Sequence, residues 1–210
     1  MPASTPIARS KTAALSRILD CAPKGYHRYT CGTVKVGKAE ALAKKLHKQY
    51  GIGCTPAQRL TRKQKGLANA VLVLYWPQGA EKVEWLLLAT DGDGLEEETL
   101  RLIGEKPRLC WLGYELVRHT VRGRAAWTWR RTKQEMTELH ALVATQASQR
   151  HEDALTDTLA RAARQPGFHG VRAQTWAQCQ EARRRGYAGP LPHLFFMQKI
   201  SHGEPMRLDV

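Results

Sequence analysis

The sequence predicts an α+β fold: an antiparallel sheet of about four to five strands packed by helices, with a basic, mainly helical N-terminal unit. Three observations carry this. Two pairs of short apolar or alternating runs, each joined by a turn-rich connection, read as β-hairpins. Several longer stretches repeat apolar residues at the helical period. The charge is also unevenly placed. Of 33 Lys and Arg in 210 residues, 14 precede Leu67, against two acids, Asp20 and Glu40, a net +12. Residues 67–210 hold 19 cations and 17 acids. This asymmetry predicts a basic unit over 1–66 and an α+β core over 67–210.

In chain order, Ser10 or Thr12 caps a helix to about Asp20, with Leu15, Ile18 and Leu19 along one side. Ala22-Pro23-Lys24-Gly25 breaks it. Tyr26–Val36, rich in β-branched and aromatic residues, predicts a strand or a short hairpin around Gly32. Lys38–Tyr50 predicts a helix whose Ala39, Leu42, Ala43, Leu46 and Tyr50 share an arc, opposite Lys44, Lys45 and Lys48 and beside Lys38. Gly51-Ile52-Gly53 stops it, and Thr55-Pro56 opens the next helix as N-cap and first residue, running to Lys65.

Asn69–Trp76 and Val83–Thr90 form the first predicted hairpin. Leu95–Gly104 reads as a short helix with Glu96, Glu97 and Glu98 in its first turn, where the dipole favours acids. Tyr114–Thr120 and Ala125–Thr132 form the second hairpin, with Trp127 and Trp129 facing one way and Thr128 and Arg130 the other. Helices follow over Lys133–Gln149, Glu152–Arg164 and Gly170–Arg185. The apolar run Leu194-Phe195-Phe196-Met197 predicts a final buried strand over His193–Ile200.

A solubility charge would be spread along the chain, whereas a concentrated one makes a local field for polyanions, which bind by counterion release. The candidate nucleic-acid contacts are Lys38, Lys44, Lys45 and Lys48 on one helix and Gln58, Arg59, Arg62, Lys63 and Lys65 on the next. Tyr26 and Arg28 join them, because Gly25-Tyr26-His27-Arg28-Tyr29-Thr30 interleaves rings with cations as single-strand platforms do. The two helices and their Gly-containing turn share the outline of a helix-turn-helix, in which Gln58, Arg59 and Arg62 have base-reading chemistry. DNA and RNA stay open at this stage. The alternatives are a protein partner with an acidic face, for an inhibitor or adaptor, and a metal-independent nuclease using His27 with Tyr26 or Lys24.

No Walker A, GxSxG, HExxH or Gly-rich dinucleotide loop is present, so those enzyme classes are unsupported and no catalytic residue or cofactor is assigned. The five Cys form no CxxC pair, and Asp91-Gly92-Asp93-Gly94 with Glu96-Glu97-Glu98 fails the EF-hand spacing, so no metal site is expected. The odd cysteine count fits a reducing compartment. No apolar run reaches the ~18–20 residues of a membrane helix and no signal-type h-region opens the chain, so a cytoplasmic, membrane-independent protein is expected.

The stretches Trp85-Leu86-Leu87-Leu88-Ala89-Thr90-Asp91-Gly92, Gly113-Tyr114-Glu115-Leu116-Val117-Arg118 with Trp127-Thr128-Trp129-Arg130, and Leu194-Phe195-Phe196-Met197-Gln198-Lys199 resemble uncharacterised accessory proteins of bacterial conjugative plasmids and integrative elements. The resemblance implies a bacterial mobile-element setting. It transfers no site residue and does not reach the first 66 residues.

Overall fold

The computed structural model describes residues 5–121 and 123–196. The fold is α+β, in two compact units over residues 5–108 and 109–196. The first is built on a five-stranded mixed sheet. In chain order it has β1 (Ile7–Ala8), α1 (Lys11–Cys21), a short 3₁₀ turn (Ala22–Lys24), β2 (Arg28–Lys35), α2 (Val36–Tyr50) and α3 (Pro56–Gln64). β3 (Ala70–Tyr75), β4 (Lys82–Ala89) and β5 (Arg101–Leu102) complete it. The strand order is β1-β3-β4-β2-β5, and only the β1–β3 pair is parallel.

The charge step at Gly66 does not coincide with a step in packing. β2, from the basic stretch, pairs along its whole length with β4, from Arg28 opposite Ala89 to Lys35 opposite Lys82. Strand pairing follows apolar and β-branched content, which β2 shares with β3 and β4, and is indifferent to where surface charge lies. Gly32 makes no hairpin. It sits mid-strand opposite Trp85, whose indole lies across it so closely that a Cβ would stand 3.0 Å from the ring.

The periodic faces pack as expected. Ala39, Ala43, Leu46 and Tyr50 of α2 meet Ala70, Leu72 and Leu74 of β3 and Val83, Leu87 and Ala89 of β4. Each fully buried Leu here contributes about 1.5–3 kcal/mol. α1 packs on β3 without joining that cluster and so covers the other face, burying Ala14, Leu15 and Ile18. Ser10 caps it, accepting from Ala13 N at 3.2 Å. Thr5 and His47 of α2 form a 2.5 Å hydrogen bond.

The helix expected over Leu95–Gly104 is absent. A turn bonded from Glu98 N to Leu95 O gives way to β5, which pairs with β2. A lone ten-residue helix is marginal, and tertiary bonds outbid it here. Tyr50 donates to Glu98 at 2.8 Å, Gln49 donates to Glu97 at 2.5 Å, and Ile103 N donates to His27 O at 2.8 Å. The preceding Gly92, at φ +129°, lies against Gly66 to Ala68, where a Cβ would come within 2.6 Å of Ala68 N.

The second unit holds the antiparallel sheet β6 (Cys110–Trp111), β7 (Tyr114–Val121) and β8 (Arg124–Arg131), followed by α4 (Lys133–Ser148), α5 (Glu152–Ala163) and α6 (His169–Arg184). The β7–β8 register sets Leu116 opposite Trp129 and Arg118 opposite Trp127. Trp127 and Trp129 alternate with Thr128 and Arg130 as expected, yet Thr128 is buried too, because α6 lies on β8 and Gly170 N donates to its hydroxyl at 3.1 Å. The three helices close around Val143, Leu155, Leu159, Cys179, Ala182 and Tyr187.

The expected final strand fails in this unit. His193–Phe196 forms no strand, and Phe195 and Phe196 are 64% and 73% exposed. These rings meet side chains instead of a sheet: Arg172 lies 3.5 Å over Phe196, and His193 packs edge-on to Phe195. Met197–Ile200 lie outside the described residues. The inward face of α6 is Val171, Thr175, Gln178, Cys179 and Ala182, leaving Trp176 outward and 51% exposed. Among the described residues no helix is long and apolar enough to cross a membrane.

Candidate functional site

The end of α1 and the whole of α3 face each other across a cavity of about 570 Å³ in the first unit. From α1 and the turn after it come Arg17, Cys21 and Lys24, at i, i+4 and i+7. From α3 come Pro56, Arg59, Leu60 and Lys63, on the i, i+3, i+4, i+7 face. Gly25, Tyr26, Asn69, Val71, Thr90 and Asp91 complete the lining. None of its four cations pairs with a carboxylate among the described residues, and the one acid, Asp91, is held by Arg28 at 3.0 Å.

α3 exists for local reasons and buries nothing. Its N-terminus is a full capping box: Gln58 N donates to Thr55 Oγ1 at 3.3 Å and Thr55 N donates to Gln58 Oε1 at 2.8 Å. Two side chains anchor it. Arg62 donates to Ala68 O through Nε at 3.2 Å and Nη2 at 2.8 Å, and packs on Gly51 where a Cβ would clash. The buried Asn69 donates to Arg59 O at 3.2 Å, and its Oδ1 has no partner among the described residues.

Burial raises the Tyr26 hydroxyl above its usual pKa, while Arg59 and Arg17 pull it down. Burial likewise raises the Cys21 thiol against the opposing pull of Arg17, Lys24 and Arg59. Both groups stay protonated and neutral near pH 7, so the cavity keeps its positive sign. Bound anions would meet guanidinium and ammonium groups, because the capping box already occupies the amide of Gln58 at the first turn of α3.

The sequence-predicted residues divide accordingly. Arg59 and Lys63 share the cavity with Tyr26, which is only 7% exposed. Lys38, Lys44, Lys45 and Lys48 lie on the solvent face of α2, with Lys44 bonded to Glu40 at 2.6 Å, and Lys65 is exposed at the end of α3. Gln58, Arg62 and Arg28 are spent on the cap, the Ala68 carbonyl and Asp91. With α3 burying no side chain, the apolar helix-to-helix contact that sets a helix-turn-helix angle is missing here. Arg17 and Asn69 were not anticipated, and Lys24 was singled out only as an acid or base for the nuclease alternative, not as a phosphate contact. The spacing of Arg17 and Lys24 on one helical face was visible, but which helix would face it was not.

The acidic cluster is dispersed among separate donors: Asp91 on Arg28, Glu96 on Gly94 N at 2.6 Å, Glu97 on Gln49 and Glu98 on Tyr50. The Arg183–Arg185 run serves its own helix end. Arg184 and Arg185 pair with Glu181 at 2.7 and 2.8 Å, and Arg183 donates to Tyr187 O at 2.6 Å. No family model, curated protein or solved structure matches the chain.

Proposed function

We propose that this chain binds nucleic acid through the α1–α3 cavity and the neighbouring basic face of α2, as a non-enzymatic accessory factor in replication, transfer or regulation of a bacterial mobile element. The observation that carries the reading is four cations, Arg17, Lys24, Arg59 and Lys63, lining one concave surface with no carboxylate partner among the described residues. Such a surface stores electrostatic free energy that a polyanion releases with its counterions. The mobile-element setting rests on the sequence resemblance alone.

Each phosphate neutralised contributes about 0.7–0.9 to the slope of log affinity against log salt, so the cavity alone predicts a slope near −3. The test is fluorescence anisotropy in graded salt on protein stripped of nucleic acid, comparing Arg59→Glu/Lys63→Glu with Lys44→Glu/Lys45→Glu/Lys48→Glu. Both variants weaken binding and flatten the slope, the cavity variant more per charge. Unchanged affinity in both removes this reading and leaves an acidic protein partner as the better one.

A further inference from the structure

The cavity has a feature that phosphate binding leaves unexplained. Leu60 projects from the cationic face of α3, 59% exposed, into a wall it shares with Val71, Pro56 and Tyr26. An apolar side chain among four cations gains nothing from a phosphate and costs solvation where it stands. A partner that is anionic along one edge and flat and apolar along the other satisfies both parts of the wall. A nucleotide whose base is free of a duplex has that character. Its phosphates lie toward Arg17, Lys24, Arg59 and Lys63, and its base covers Leu60 and Val71.

Size and shape favour the same ligand. About 570 Å³ falls in the ~300–1,000 Å³ range of pockets that take compact ligands. A duplex keeps its bases stacked inside a stiff cylinder and delivers one to a cavity only after it has been unpaired and unstacked, which costs free energy. In a single strand the bases are already available. Resting on the nucleic-acid reading above, we infer that the α1–α3 cavity is selective for single-stranded over double-stranded nucleic acid and seats an unpaired base on Leu60.

The experiment compares three labelled oligonucleotides of one sequence, single-stranded DNA, single-stranded RNA and duplex DNA, on the full chain by anisotropy over a salt series. The expected result is one or both single strands bound at least about tenfold tighter than the duplex. Leu60→Ala, an exposed change that leaves packing intact, weakens single-strand binding about three- to tenfold without altering the salt slope. Lys63→Gln lowers that slope by about 0.7. Equal or tighter duplex binding, or a Leu60→Ala protein with unchanged single-strand affinity, overturns the inference and leaves the broader reading standing. If none of the three oligonucleotides binds at any salt, both fall together.

Discussion

Arg131 shows how much one residue can hold. It is 1% exposed, donating to Val171 O at 3.3 Å, to Thr175 Oγ1 at 3.0 Å and to Ala162 O at 2.7 Å, with Glu135 at 3.6 Å from its Nε. It thus ties the end of β8 to α5 and α6. Burial lowers its pKa and Glu135 works the other way, yet a guanidinium stays charged across the working range. Arg131→Ala removes the cross-link between β8, α5 and α6, leaves Glu135 without its ion pair and opens a cavity, so a loss of about 3–5 kcal/mol is expected in urea unfolding. Arg131→Lys recovers only part of it, because one ammonium cannot span the three acceptors.

Two histidines set a pH dependence at the same scale. His119 stacks on His169 with ring centroids 4.4 Å apart, and burial first, then the neighbouring ring, lowers its pKa below 6.5. Burial alone lowers that of His47, bonded to Thr5. A lowered folded pKa means the unfolded chain binds protons first, so stability is full above the unfolded value and is lost as pH falls below it. Melting temperature should therefore drop as pH falls below about 6.5. His119→Phe, which keeps the ring stack and removes the titration, should make that drop shallower; an unchanged profile would exclude a His119 contribution.

At the scale of the element, α3 stands apart. α1, α2, α5 and α6 are held by buried faces, whereas α3 depends on its capping box, Arg62 and Asn69. Thr55→Ala removes one reciprocal bond and costs about 1 kcal/mol of local helix stability. Because α3 contributes no core residue, the global unfolding midpoint should barely move. Amide exchange over Pro56–Gln64 should accelerate and nucleic-acid affinity fall, since Arg59 and Lys63 lose their fixed positions. A large midpoint shift would show that α3 carries core stability after all. Its limits were legible because Thr55, Pro56 and Gln58 lie within four residues and their bonds are local. The failed Leu95–Gly104 helix is the converse. Its acids matched a helix start, but Gln49 and Tyr50, more than 40 residues away, provide the bonds that Glu97 and Glu98 make.

For the molecule as a whole, apolar periodicity was enough to anticipate most helices and both long hairpins, since burying a face at period 3.6 or 2 is a local property of the chain. It was enough, too, to expect β2 as a strand, but not its place between β4 and β5, which depends on pairing residues as far apart as Arg28 with Ala89 and Arg28 with Leu102. The final apolar run misled, because apolar content alone does not say whether a sheet edge awaits it. The concentration of cations before Leu67 was likewise plain in composition. Where each of them ends up was decided by folding: Arg28 was drawn to Asp91 and Arg62 to the Ala68 carbonyl, while Arg17 and Lys24 were brought to the same cavity as Arg59 and Lys63. Period and charge are carried by neighbouring residues, whereas the partner of an arginine is whichever acceptor the packed chain delivers to it.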